Sequence, residues 1–345
     1  MKKTILVLFG GCSSEYEVSL QSAHAVLSHL DQTRYTPLPV GITRDGRWLR
    51  YTGPLFRLET GDWDVPSLCT PCALSLDRGR RELLLPDGSR LPFDAAFPVL
   101  HGKNGEDGTV QGLLELAHIP LIGCGTLSSA LCMDKDRAHK LVSLAGIRVP
   151  RSVVFSQGAV PTDCARAAEV LGYPLFVKPV RAGSSFGITQ VQRPECLSAA
   201  VEAAFVHDRE ILLEEAVPGF EVGCAVLGNQ ELTVGLVDEI ELAQGFFNYE
   251  EKYTLKTSRI HCPARISREK AAEIQAAAKV IYRALDCRVF ARVDLFLTPS
   301  GEIVFNEVNT IPGFTAHSRY PSMMRGIGLE FGELVNRLVE LGAEV

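Results

Sequence analysis

A chain of 345 residues is longer than one small module needs and argues for two or three domains around more than one core. Hydrophobic residues at 46% and charged residues at 22% are ordinary globular values, which excludes a disordered tail protein or a highly charged coil. Lysine and arginine total 35 against 41 acidic residues, a formal charge of −6 with no basic run, so nucleic acid is excluded as a first partner.

At the N-terminus two lysines precede an apolar run, Ile5 to Phe9, that is too short for a signal peptide and passes directly into Gly10-Gly11. A buried first strand is expected there. No segment approaches the roughly 18 apolar residues of a membrane helix, so a soluble, cytoplasmic protein without a membrane partner is expected. A strand at Thr4–Phe9, a helix from about Tyr16 to Leu30 and a strand at Thr36–Ile42 follow the alternation of a parallel sheet. Residues 43 to 92 read as hairpins and loops. Regular pattern resumes with a strand from Ala95 to Leu100, a helix from Gly108 to His118, a strand from Pro120 to Ile122 and a helical stretch from Leu127 to Ala145.

A second unit opens at Pro150, with strands at 152–155, 175–178 and 188–191 and helices at 162–171 and 195–206. From Glu210 the pattern is strand-rich: Ile211–Glu215, Glu221–Leu227 and Leu232–Val237. A loop from Glu239 to Cys262 is long enough to be functional. It leads to a helix over 267–285, strands over 289–297 and 302–308, and an amphipathic last helix near 327–341. The expected domains are 1–125, a central 126–213 and a C-terminal 214–345.

Ten scattered cysteines in a chain with no export signal are expected to be mostly free, buried thiols in a reducing compartment. Cys69 and Cys72 have C-x-x-C spacing, but no second pair follows to complete a zinc site, and a surface-loop coincidence is the better reading.

The C-terminal segment Arg292-Val-Asp294 through Ser300-Gly301 to Asn306-Glu307-Val-Asn309 carries the most chemistry. Two alternating strands around Ser300-Gly301 predict a two-residue hairpin loop, which sets Asp294 opposite Glu307 and Arg292 opposite Asn309. Asp294, Glu307 and Asn309 then share a face as hard oxygen ligands suited to Mg²⁺ on phosphates, against the alternative of a solvated face with a cross-strand ion pair. Lys178, at a strand end before the turn Gly183-Ser184-Ser185-Phe186-Gly187, is a weaker phosphate signal. The glycine-rich clusters at 10–15 and 101–108 follow two strands and mark one edge of the same sheet. No P-loop is present, and Gly123-Cys124-Gly125 lacks the third glycine of a dinucleotide fingerprint.

These pieces resemble the D-alanine–D-alanine ligase family of ATP-grasp enzymes over nearly the whole chain. The stretches that carry the resemblance are Gly10-Gly11 through Ser19, HGKNGEDGT (101–109), SSALCMDKDRAHK (128–140), KPVRAGSSFGI (178–188), EKY (251–253), ARVD (291–294) and NEVNTIPGFT (306–315). The resemblance implies an α/β and α+β, three-domain ATP-grasp fold with an N-terminal parallel sheet. It also implies ATP-dependent formation of a D-alanyl phosphate, which the amine of a second D-amino acid attacks, in peptidoglycan precursor synthesis. Cofactors are ATP and Mg²⁺ or Mn²⁺, and the partner expected is a second copy of the chain.

Residue by residue, the resemblance gives Lys135 and Lys178 to the ATP phosphates, with Ser185 in the turn closing over them and Lys252 reaching the transferred phosphoryl group. Glu214 and Glu221 match positions holding adenine and ribose, and Glu215, Ala216 and Val217 line the adenine slot. Asp294, Glu307 and Asn309 match the magnesium ligands. Arg292 and the Gly313 amide would stabilise the oxyanion, a contribution of about 3 to 4 kcal/mol per donor. Glu15 would hold the first ammonium, positioned by Ser184 and Tyr253, while His101 and Ser318 face substrate, Ser318 taking the second carboxylate. The long loop 239–262 would be a lid that keeps water from the acyl phosphate.

Within the family the chain is most similar to the D-alanine–D-serine ligases of vancomycin resistance. Tyr253 stands where ester-forming members carry histidine, Phe247 where D-alanine–D-alanine ligases carry tyrosine, and Arg319 where they carry leucine or methionine. The guanidinium donors of Arg319 would favour a substrate hydroxyl. A housekeeping D-alanine–D-alanine ligase, another ATP-grasp ligase and a non-catalytic ATP-binding module are the alternatives. Glu15, Ser184, Arg292 and Tyr253, which bind no part of ATP, speak against the last.

Overall fold

The computed structural model describes residues 2–183, 186–242 and 258–344. In the N-terminal sheet the strand Lys3–Gly10 lies between Tyr35–Ile42 and Ala95–Pro98, parallel to both. Ile5 through Phe9 are fully buried, which explains their unbroken apolar run: a strand covered on both faces has no side to leave polar. Its two parallel neighbours lie on opposite sides of it, so a crevice forms beyond the strand ends where Gly10 and His101 emerge. The helix Tyr16–His29 packs here, burying Ser19, Ser22, Ala23 and Val26.

The central sheet is antiparallel, in the order Thr189–Val191, Leu175–Pro179, Glu210–Glu215, Ser152–Ser156. Helices Pro161–Leu171 and Leu197–Phe205 cover it, placing Ala168, Leu171, Ala200 and Ala204 against Val177 and Leu213. Glu210–Glu215 runs across the expected boundary at 213/214, because all six residues pair within this one sheet.

The helical stretch expected from Leu127 to Ala145 is two helices, Thr126–Met133 and Lys135–Leu144. Asp134 separates them in extended conformation, and its carboxylate caps the second by accepting the Arg137 N–H at 3.0 Å. Cys132, Ala138 and Val142 share a core with Ile274, Ile281 and Phe305. By packing, then, these helices belong with the C-terminal sheet, although the sequence groups them with the central unit.

That C-terminal sheet is also antiparallel, in the order Ser258–His261, Thr233–Leu242, Phe220–Leu227, Phe290–Leu297, Ile303–Asn309. The helix Arg268–Ala284 packs Ile274, Ala278 and Ile281 on its apolar core. The expected loop 239–262 is shorter than the sequence implies, since Glu239–Leu242 pairs with Ser258–His261. Phe247, Lys252 and Tyr253 lie outside the described residues, as do Ser184 and Ser185.

The hairpin corrects one expectation while keeping its consequence. Thr298 N–H donates to the Glu302 carbonyl at 3.0 Å, so the loop is three residues, Pro299 to Gly301, not two. One residue is inserted further on, at Asn306, between the pairs Leu295–Phe305 and Asp294–Glu307. The two one-residue shifts offset each other, and Asp294 faces Glu307 with Arg292 facing Asn309 as expected.

Phe97 of the N-terminal sheet meets Phe290 at 6.2 Å and Phe314 at 6.4 Å, so the first and last units share a core. All ten cysteines are free: five are buried, while Cys12 and Cys196 are exposed. Cys69 is in the strand Cys69–Pro71, so the C-x-x-C pair begins on a sheet edge and not in a loop. Among the described residues no helix is long and apolar enough to cross a membrane.

Candidate active site

A cleft of about 680 Å³ opens where the three units meet. The N-terminal unit contributes Glu15, His101 and Glu106, and Lys135 and Gly183 form another wall. The C-terminal unit contributes Arg292, Glu307, Asn309, Gly313, Ser318 and Arg319. Nine expected site residues are thus brought to one cavity.

The two glycine-rich turns meet as their strand ends require. Ser13 Oγ donates to the His101 carbonyl at 2.7 Å, and Gly102, at φ +72°, has no room for a side chain because a Cβ would overlap the Glu15 carboxylate. His101 is buried. Its Nδ1 lies 2.9 Å from the Ile311 carbonyl and its Nε2 3.1 Å from Ser22 Oγ, and burial holds its pKa below the ordinary value.

On the hairpin, Asp294 is 1% exposed and accepts hydrogen bonds from Arg292 Nε at 2.8 Å, Arg292 Nη2 at 2.7 Å and Asn309 Nδ2 at 2.8 Å. Burial works against the Arg292 charge, yet Asp294 and Asp238 together outweigh it and hold the guanidinium pKa above its usual value. Arg319 Nη1 lies 3.3 Å from the same carboxylate, and Arg319 also binds Asp238 through Nε at 2.7 Å and Nη2 at 2.8 Å. Glu221 Oε1 accepts its Nη1 at 3.0 Å, so the carboxylate expected at a ribose is engaged by an arginine.

Three carboxylates surround these two guanidinium groups, and Glu307 adds a fourth at the cleft wall. Excess negative charge beside an asparagine oxygen is the donor chemistry a Mg²⁺ on phosphate takes. Glu307 and Asn309, which line the cleft, fit such an ion, while Asp294 beside them is buried and engaged by Arg292, Arg319 and Asn309.

Lys135 Nζ donates to the Ala182 carbonyl at 2.7 Å, next to Gly183. Lys178 and Glu214 form a buried ion pair of 2.5 Å behind the cleft wall, so neither is an open contact for nucleotide in this arrangement. They are diagonal neighbours on one sheet face, since Glu214 pairs with Phe176. The Glu215 carboxylate turns to Arg151, accepting its N–H at 2.9 Å and Nε at 2.6 Å. Ala216 and Val217, both half-buried, follow the strand end.

Comparison with known proteins agrees with this geometry. Residues 4–124 match the family model described as D-ala D-ala ligase N-terminus, and residues 141–340 that described as D-ala D-ala ligase C-terminus. The chain belongs to the D-alanine–D-alanine ligase family. It is 46% identical to a putative D-alanine–D-lactate ligase of Streptomyces coelicolor, over 97% of this chain and 96% of the relative. It is 44% identical to the vancomycin B-type resistance protein VanB of Enterococcus faecalis, over 99% of both. The crystal structure of VanG D-Ala:D-Ser ligase from Enterococcus faecalis superposes with a TM-score of 0.93 at 57% identity, covering 99% of this chain and 100% of that one. The fold is the ATP-grasp fold, and the ligase is an ATP-dependent enzyme that joins D-alanine to a second D-substrate.

Three buried polar residues in or near the cleft carried no role in the sequence reading. Glu106 stood within the quoted HGKNGEDGT stretch but carried no role. It lines the cleft, accepting the Gly102 N–H at 2.8 Å and the Ile311 N–H at 3.3 Å, and burial beside Glu15 raises its pKa to about 8. Asp238 is a fully buried acid in the middle of a strand, a signal that it needs a cation, although nothing local names Arg319. His139 Nδ1 is buried without a hydrogen-bond partner among the described residues, 4.0 Å from Glu214, and burial keeps its pKa low.

Proposed function

We propose that this ligase joins D-alanine to D-serine through a D-alanyl phosphate, with D-alanine as a slower second substrate, and that the dipeptide enters peptidoglycan precursors as in vancomycin resistance. The observation that carries the D-serine reading is Arg319. The side chain lines the cleft, yet Asp238, Glu221 and Asp294 hold its Nε, one Nη2 and both Nη1 positions in place. This narrows the sequence argument: among the described residues one Nη2 proton stays uncommitted, a fixed donor in place of a fan of five. A fixed donor favours a side chain with a hydroxyl acceptor, because a methyl group would leave it unpaired. Phe247 in place of tyrosine and Tyr253 in place of histidine agree with an amide-forming site for a polar second substrate.

The remaining residues divide the chemistry. Glu15 holds the ammonium of the first D-alanine beside His101 and Gly102, with Ser184 and Tyr253 orienting it. Lys135, Lys178, Lys252 and the turn at 183–187 carry the phosphates, while Glu214 to Val217 and Glu221 border the base and ribose. Asp294, Glu307 and Asn309 would hold Mg²⁺ or Mn²⁺, which would supply charge neutralisation to the phosphates. Arg292, fixed by Asp294, and the Gly313 N–H face the oxyanion that forms when the second amine attacks, and Ser318 takes its carboxylate. The enclosure by three units limits water at the acyl phosphate.

The test is phosphate release with purified protein, ATP, Mg²⁺, D-alanine and a panel of second D-substrates. A higher kcat/KM for D-serine than for D-alanine is expected, with the order shifting toward D-alanine in Phe247→Tyr/Arg319→Met. A wild-type preference for D-alanine or D-lactate sinks the assignment.

A further inference from the structure

The segment that carries the Gly313 amide is held by the N-terminal unit through contacts that no assigned role explains. His101 Nδ1 lies 2.9 Å from the Ile311 carbonyl, and Glu106 Oε1 takes the Ile311 N–H at 3.3 Å. On the far side of Gly313, the Phe314 N–H donates to Ser22 Oγ at 3.2 Å. Ser22 Oγ in turn lies 3.1 Å from His101 Nε2, and Ser22 is fully buried. Both peptides flanking the Pro312-Gly313 step are thus tied to another unit.

The directions of these bonds follow from the groups involved. A carbonyl only accepts, so His101 Nδ1 carries a proton; a peptide N–H only donates, so Ser22 Oγ accepts from Phe314. The Ser22 hydroxyl proton is then left for His101 Nε2, which accepts it only in a neutral ring. One proton arrangement satisfies every group: neutral His101 with Nδ1–H, oriented by Ser22. The Glu106 carboxyl completes the clamp by joining Gly102, next to His101, with Ile311.

We propose that Ser22 and Glu106 are positioning residues for the ligation step, fixing the His101 ring and the Ile311–Phe314 backbone so that the Gly313 N–H points at the oxyanion before substrate binds. The proposal rests on the ligase reading and on Gly313 as an oxyanion donor. A donor released from its aim by about 1 Å costs on the order of 100-fold in rate, which sets the scale for the variants.

Two measurements test it. In Ser22→Ala, kcat for the preferred substrate pair should fall by about ten-fold or more while KM for ATP stays unchanged, since Ser22 meets no nucleotide. In the wild-type protein labelled with nitrogen-15 histidine, the His101 ring should give the signature of a neutral Nδ1–H imidazole near neutral pH. In Ser22→Ala the Ile311 carbonyl keeps the proton on Nδ1, and the Nε2 signal should shift to that of an imidazole nitrogen that has lost its hydrogen-bond donor. Wild-type kcat in the variant, or an Nε2–H or doubly protonated His101 in the wild type, overturns the proposal. The wild-type spectrum needs neither a folded variant nor turnover, so it decides between failure of the clamp and failure of the ligase reading.

Discussion

Arg319 occupies the space that a side chain at Gly223 would fill. A Cβ at Gly223 would overlap Arg319 Nη2 and stand 2.7 Å from Asp238 Oδ1. Gly223 pairs with Asp238 on one neighbouring strand and Asp294 on the other, so the guanidinium crosses the bare centre of the sheet to reach both carboxylates. Burial opposes the Arg319 charge, yet Asp238 and Asp294 outweigh it and hold its pKa well above the usual value.

Gly223→Ala should therefore displace Arg319 from its carboxylates. Breaking a buried pair of this kind costs about 3 kcal/mol or more. A lower melting temperature and a fall in kcat/KM for D-serine larger than that for D-alanine are expected. Unchanged discrimination between the two substrates would detach Arg319 from specificity.

Glu307→Gln and Asp294→Asn should both abolish turnover, each removing one of the anionic ligands proposed for the divalent cation. They should differ in stability. Glu307 lines the cleft, and its loss leaves the melting temperature near wild type, whereas Asp294→Asn weakens the seat of two guanidinium groups and lowers it. Near-normal activity of either variant at ordinary Mg²⁺ would remove the metal assignment.

Lys178→Met leaves Glu214 buried at 3% side-chain exposure without its cation and should cost about 3 to 5 kcal/mol. Lys178→Met/Glu214→Gln should regain most of that stability while KM for ATP stays raised. Denaturant melts of the two single variants and the double variant measure the coupling.

The Glu106 carboxyl gives the ligand-free protein a pH dependence. Its folded pKa of about 8 lies above the ordinary value of 4.5, so the folded state binds the proton more tightly. The stability this contributes is complete below the unfolded pKa and is lost as pH rises through the folded one. Glu106→Gln should have a flatter melting-temperature profile between pH 5 and 8, approaching the wild-type slope only outside that window. Parallel profiles would place the pKa of Glu106 near that of a solvated carboxyl.

What could be read from the residues alone was whatever a local pattern encodes. The apolar run Ile5–Phe9, the glycine turns after it and after Leu100, and the alternation around Asp294 and Glu307 predict a buried parallel strand, a sheet edge and a shared face, because side-chain periodicity and turn chemistry act over a few residues. The hairpin register was right even with the loop length wrong, since the insertion at Asn306 compensates for the third loop residue. Tertiary structure alone decided which buried charges meet. Arg319 finds Asp238 at a separation of 81 residues and Glu221 at 98, and His101 finds Ile311 at 210. It also moved the helices Thr126–Met133 and Lys135–Leu144 onto the C-terminal core. A buried ion or imidazole must be satisfied by whatever the order of strands brings within about 3 Å, and that order is not written in any local window of the chain.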